Sequence, residues 1–213
     1  SQELQEMARW RSDAKRSGLL LVGPRLVGKS ALIRAHVDQR RKDSPKKKLP
    51  GTWLLSPGRL ISGMSYLGQW ENRLLSILKH CRKRDHVLVF DDLLGLLTAG
   101  VTSDSSMSAA QLLKSFLDRS ELRVIGEITH EAYQLLRQRN RPLADHFQVL
   151  FLDPPEPALN RNIALAAARA AEESQECRFS LEAIHQALQI GDRYLTDASH
   201  PGKVARLLQQ VAA

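Results

Sequence analysis

The segment Gly23-Pro24-Arg25-Leu26-Val27-Gly28-Lys29-Ser30 sets a lysine and a hydroxyl directly behind a loop bounded by two glycines. An apolar run, Leu19-Leu20-Leu21-Val22, precedes it, and a helical pattern, Ala31-Leu32-Ile33-Arg34-Ala35, follows it. That order presents unpaired backbone N–H groups, from the loop and from the first helical turn at Ala31, to an anion. Gly28 allows close backbone approach to the anion. Lys29 adds a mobile positive charge, and Ser30 a hydroxyl suited to a hard cation. Glycine, four residues, Gly-Lys-Ser, between a strand and a helix, is the pattern of a phosphate loop. It predicts a nucleotide's phosphates with Mg²⁺ as the ligand, held by Gly23, Pro24, Arg25, Leu26, Val27, Gly28, Lys29, Ser30 and Ala31.

A second element must face the first. Val87-Leu88-Val89-Phe90 ends in Asp91-Asp92. An acid at the carboxyl end of a neighbouring strand can hold Mg²⁺, which assigns Asp91 and Ser30 to the metal. Asp92 stands where a base for an attacking water would sit. Acids commonly follow strands, so the pair gains its meaning from its order after Lys29 and Ser30.

Strands at Leu19–Val22, Thr52–Leu55, His86–Phe90, Leu122–Ile125 and Val149–Leu152 alternate with helical patterns. The stripe Trp70, Leu74, Ile77, Leu78 and Cys81 marks one helix, and Leu112, Leu113, Phe116 and Leu117 another. An opening helix buries Leu4, Met7 and Ala8 and is closed by Gly18. Alternation of this kind argues for a parallel α/β sheet with flanking helices, binding its ligand beyond the carboxyl ends of the strands. After Pro154-Pro155-Glu156-Pro157 only helices follow: Leu159–Ala171, Leu181–Ile190 with Ser180 as N-cap, and Pro201 onward. The expected division is therefore a sheet domain over 1–155 and a small helical domain over 156–213.

The 213 residues carry a net charge of +8, with short basic runs at Arg40-Arg41-Lys42, Lys46-Lys47-Lys48 and Arg82-Lys83-Arg84. These read first as solvated loops and helix ends. On charge alone they keep open a DNA-associated ATPase, a transposition or replication helper, although no helix-turn-helix or zinc-finger signature accompanies them. Two cysteines, Cys81 and Cys177, suit a reducing, cytoplasmic setting. No histidine spacing suggests a metal centre. No apolar run reaches membrane-spanning length, and the polar start carries no signal-like core. The chain begins inside a helical pattern, as an excerpt from a longer protein would.

The ordered set resembles the AAA+ modules of Clp-type unfoldases and disaggregases, especially their first ATPase module, over nearly the whole chain. The quoted residues are the phosphate loop, Asp91-Asp92, the segment Tyr66-Leu67-Gly68-Gln69-Trp70-Glu71-Asn72-Arg73-Leu74, Gly126-Glu127-Ile128-Thr129, Asp192-Arg193-Tyr194, and Pro201-Gly202-Lys203-Val204. The resemblance implies a P-loop NTPase of the AAA+ kind: a parallel five-stranded sheet with flanking helices and a C-terminal helical lid. It implies a ring, usually hexameric, built from like or unlike chains and acting on a protein substrate or partner. Ile163 and Lys203 would approach the nucleotide from the lid. Tyr66 would line a central pore, or be an ordinary loop aromatic. Thr129 would serve as the polar sensor of the nucleotide, or simply cap the next helix.

Departures from the family pattern bear on turnover. Pro24-Arg25-Leu26 replaces Glu-Pro-Gly, which matters if Leu26 needs φ > 0. Asp92 replaces a glutamate, withdrawing the carboxylate by roughly an ångström, a displacement that can cost about a hundredfold in rate. Asp145-His146-Phe147 stands where the family has Arg-Arg-Phe, and an arginine finger is worth about a thousandfold or more. Arg139 and Arg141 lie just upstream. The expectation is nucleotide binding with slow or absent hydrolysis.

Overall fold

The computed structural model of the chain describes residues 2–13, 17–45, 49–62, 69–97 and 109–213. Tyr66, the expected pore residue, and the Lys46–Lys48 run lie outside them. Five strands, β1 (Gly18–Val22), β2 (Thr52–Leu55), β3 (Val87–Phe90), β4 (Arg123–Ile128) and β5 (Phe147–Phe151), form one sheet in the order β2-β3-β4-β1-β5. Every pairing is parallel. Among the described residues the accompanying α-helices are α1 (Gln2–Ser12), α2 (Lys29–Asp43), α3 (Pro57–Ile61), α4 (Gln69–Lys83), α5 (Ala109–Asp118), α6 (His130–Arg139), α7 (Arg141–Ala144), α8 (Pro157–Ser174), α9 (Leu181–Tyr194) and α10 (Gly202–Ala212).

The chain separates into two compact units. One comprises Ser1–Val22 and Ser30–Phe151; the other comprises Gly23–Lys29 and Leu152–Ala213. In the first, β1 and β3 are buried at every position, as continuous apolar strands covered on both faces must be. The edge strand β2 instead exposes Trp53 and Leu54. The stripe Trp70, Leu74, Leu78 and Cys81 of α4 packs into the same core as Leu20, Leu88 and Phe90.

The structure departs from the sequence reading in α1, at Gly18, at the end of β4 and in β5, which runs Phe147–Phe151 rather than Val149–Leu152. In α1 the buried pair is Met7 and Trp10, while Ala8 is exposed and Leu4 only half-buried. The larger indole claims the inward face. Gly18 does not close that helix but opens β1, where a Cβ would come within 2.7 Å of the His146 carbonyl oxygen. Strand β4 runs on to Ile128, three residues beyond the expected Ile125, carrying Glu127 into the sheet.

In the second unit α8, α9 and α10 bury Ala164, Ala168, Ile184, Ala187, Val204 and Leu208 against one another. Ser180 caps α9 as expected, accepting from the Ala183 N–H at 3.1 Å. Among the described residues no helix is long and apolar enough to cross a membrane.

Candidate functional site

The loop leaving β1 turns through two left-handed residues, Gly28 at φ 111° and Leu26 at φ 64°. A leucine held there carries strain of order 1–3 kcal/mol. The replacement of glycine at this position therefore falls on a residue whose backbone does need positive φ. Lys29 folds back over the loop, and its Nζ donates to the carbonyls of Gly23 (2.8 Å) and Pro24 (2.7 Å). The ammonium is thereby placed above the loop whose N–H groups would receive an anion.

Two further bonds tie the loop to the start of α10. The Ser199 N–H donates to the Arg25 carbonyl at 2.8 Å and the Gly202 N–H to the Leu26 carbonyl at 3.0 Å. A cleft of about 380 Å³ opens beside them, lined by Pro24, Pro154, Thr196, Asp197, His200 and Lys203 among others. Lys203 is buried, with its Nζ 3.4 Å from Asp192 Oδ1. His200 Nε2 also meets that oxygen. The hydrogen bond from His200, aided by Lys203, holds the Asp192 carboxyl below the ordinary carboxylate range. Lys203 thus shares a cleft with the phosphate loop. Ile163 is half-buried on α8 and is not among the described residues lining that cleft.

The metal-side residues lie in the sheet unit. Ser30, on the first turn of α2, shares a cavity of about 430 Å³ with Asp91 at the end of β3 and Glu127 on β4. Ser30 Oγ donates to Glu127 Oε2 at 2.8 Å, and Asp91 accepts a hydrogen bond from the Ser56 hydroxyl. A hydroxyl and carboxylates are the hard oxygen donors that Mg²⁺ takes, with phosphates and water completing its shell. Among the described residues no group of three His, Cys, Asp or Glu side chains could hold a metal unaided.

Asp92 is turned elsewhere. Its Oδ1 accepts from the Gly95 N–H at 3.0 Å, opening the 3₁₀ turn Leu94–Leu97. Thr129 caps α6, its Oγ1 accepting from the Ala132 N–H at 3.2 Å. The Glu131 carboxyl pKa is lowered, first by a hydrogen bond from its own N–H and then by the Thr129 hydroxyl.

The model of the ATPase family associated with various cellular activities (AAA) matches residues 19–153, from the first strand through the last. The chain belongs to this family. ClpB chaperone proteins match throughout: that of Bacteroides thetaiotaomicron is 29% identical over 216 residues, and that of Enterococcus faecalis 31% identical over 221, each covering all of this chain. The chain spans about a quarter of the length of these curated relatives. Among solved structures, the S. cerevisiae Hsp104–ADP complex superimposes with a TM-score of 0.81 at 25% identity, covering 99% of this chain and 30% of that one. The extended Hsp104:casein complex gives 0.79 at 26% identity, covering all of this chain and 36% of that one. This is a Clp-type AAA+ module with a parallel five-stranded sheet.

Within the AAA module, Asp145 closes α7 and Arg141 lies 3.7 Å from its carboxylate, both exposed. Arg139 is exposed at the end of α6. His146 pairs with Asp118 at 2.8 Å. The residue that sequence reasoning passed over is Glu127. Its signal was present: one charged residue inside the apolar run Val124-Ile125-Gly126-Glu127-Ile128, buried to 8% exposure.

Proposed function

We propose that this AAA+ module binds MgATP at the loop Gly23–Ser30 and hydrolyses it slowly or not at all, serving as a unit of an oligomeric protein-remodelling or protein-assembly machine. The observation that carries the binding half is the Lys29 ammonium poised over the loop carbonyls, with the Ser30 hydroxyl and the Asp91 carboxylate lining one cavity. On this reading Lys29 turns toward the β- and γ-phosphates, Ser30 and Asp91 orient Mg²⁺, and Lys203 approaches the phosphates from the lid. The Mg²⁺ ion supplies charge neutralisation between the phosphate oxygens.

The slow-turnover half rests on how the remaining groups are occupied. Asp92 accepts from the Gly95 N–H. The Thr129 hydroxyl caps α6. Asp145 occupies the arginine position and attracts Arg141. An acid there opposes the charge that an arginine finger would neutralise. The ClpB chaperone relatives and the Hsp104:casein complex support a protein substrate, and the resemblance to Clp-type modules supports oligomeric assembly. Bound nucleotide would select one assembly through its differential affinity for it.

The test is calorimetric titration with MgATP together with steady-state phosphate release, for the wild-type chain and Lys29→Ala. A cation about 4 Å from a phosphate contributes about 4 kcal/mol at an effective dielectric of 20, so Lys29→Ala should weaken binding by about a hundredfold or more. Wild-type turnover should stay below about 0.01 s⁻¹, a typical enzymatic rate reduced a thousandfold. Brisk turnover abolished by Lys29→Ala would overturn the slow-hydrolysis reading, and absent MgATP binding would overturn the site.

A further inference from the structure

The geometry points to a row of aromatic rings, Trp53, His86 and His80, edged by Lys79, Lys83 and Arg84, as a binding surface for single-stranded nucleic acid. All six residues lie within the sheet unit, and the inference stands apart from the MgATP reading. β2 is an edge strand, and its Thr52 pairs with Val87 of β3, one residue after His86. Thr52 and Leu54 line the cavity that Ser30 enters, so strand alternation turns Trp53 to the other face of the sheet. There the Trp53 and His86 ring centroids lie 5.9 Å apart with planes tilted by 42°, and those of His86 and His80 lie 5.7 Å apart at 49°. The Gly51 N–H donates to His86 Nδ1 at 2.9 Å, which fixes the middle ring and leaves Nε2 to carry the proton of the neutral imidazole. Burial, then His80 and Arg84, hold the His86 pKa below 6.5, so at neutral pH this ring stacks without adding charge. Trp53 remains 54% exposed, and His80 is exposed.

An isolated exposed aromatic needs no explanation. This one continues a row that ends among cations. His80, Lys83 and Arg84 are spaced as neighbours on one face at the end of α4 and just beyond it, and Lys79 adjoins Lys83 in the same way. The nearby carboxylates are already occupied: Asp85 pairs with Arg11 at 2.6 Å, and Glu121 with Arg82 at 3.0 Å. Lys79, Lys83 and Arg84 are exposed and make no ion pair among the described residues. Cations suit a helix C-terminus, which accounts for the charge there but not for the rings beside it. Rings beside cations match a single strand, whose bases stack on the rings while its phosphates meet the cations. A duplex keeps its bases stacked inside, and an acidic polypeptide would use the cations alone.

The probe is a fluorescein-labelled oligouridylate of about 12 nucleotides, within the span of one binding site, titrated by anisotropy against the nucleotide-free 213-residue chain. Duplex DNA of equal length and polyglutamate are the comparisons. The wild-type chain should bind the single strand more tightly than either. Its tryptophan emission should be quenched on binding, since Trp10 and Trp70 are buried and Trp53 is exposed. Trp53→Ala should weaken oligouridylate binding about tenfold or more, remove the quenching and leave polyglutamate binding unchanged, whereas Trp53→Phe keeps most of the affinity. Replacing Lys79, Lys83 and Arg84 together by glutamine should make the logarithmic salt slope shallower by about 2, the value for three phosphates of a single strand. Thermal melts establish that the variants fold. Polyglutamate bound as tightly as oligouridylate, or equal oligouridylate affinity in wild type and folded Trp53→Ala, overturns the proposal by showing a patch that reads charge alone. Absence of wild-type binding at about 50 mM salt overturns it as well. So does self-association of the wild-type chain, seen by sedimentation, that Trp53→Ala abolishes, since a second copy then covers the rings.

Discussion

Gly202 is the residue on which the contact between the phosphate loop and α10 depends, and adding one methyl group to it tests that contact. A Cβ at this position would lie 2.4 Å from the Leu26 carbonyl oxygen and 2.8 Å from Leu26 Cβ. Both obstacles belong to the loop's main chain or its root, so no side-chain rotation relieves them. The loop has little freedom to retreat, since Leu26 is already at φ 64° and its carbonyl accepts from Gly202 itself. Gly202→Ala therefore has two outcomes. Either the strain is kept, at the roughly 1–3 kcal/mol typical of overpacking, or the segment lifts off and the hydrogen bonds from Ser199 and Gly202 are lost, at about 0.5–1.5 kcal/mol each. The chain takes the cheaper route, so the cost is about 1–3 kcal/mol by either path and the two estimates are not added. Hydrogen–deuterium exchange reads it directly. Amides in peptides covering 23–29 and 199–203 should exchange about 5- to 150-fold faster, the equivalent of that free energy. Gly58→Ala is the control, because a Cβ there meets nothing within 4 Å. Unchanged protection at Ser199 and Gly202 in Gly202→Ala, with an unchanged melting temperature, would refute the argument.

Two further outcomes follow from burial. His36 is buried on α2, and its pKa is lowered below 6.5 by desolvation, then by Arg40 and Arg11. As pH falls below about 6.5 the unfolded chain takes up a proton that the folded chain refuses, so stability should decline from there toward the folded pKa. Denaturant titrations at a series of pH values should show a shallower decline in His36→Gln than in wild type, and identical slopes would contradict the assignment. Cys81 is buried, and burial pushes its thiol pKa up, whereas Cys177 is half-buried. Alkylation of the native protein followed by peptide mapping should label Cys177 and spare Cys81 until denaturant is added; early labelling of Cys81 would show that the α4 face opens.

The features legible in the sequence are those set by local pattern. The phosphate loop declared itself because glycine, lysine and serine at that spacing serve few purposes between a strand and a helix. The interior strands β1 and β3 were legible because burial on both faces removes polar residues from consecutive positions. What escaped depends on partners distant in the chain. Gly18 looked like a helix stop until the His146 carbonyl came close enough to exclude a side chain. The end of β4 was hidden because Gly126-Glu127 breaks an apolar run, and Glu127 meets there a hydroxyl 97 residues away. Short polar side chains posed a different difficulty. Asp92 and Thr129 each have two uses open to them in sequence, and which one the chain adopts depends on the nearest backbone N–H, that of Gly95 for one and Ala132 for the other. The same locality bears on chemistry. A carboxylate oxygen that accepts from a turn three residues ahead is held in place by that bond, while the second oxygen of Asp92 keeps its acceptor sites.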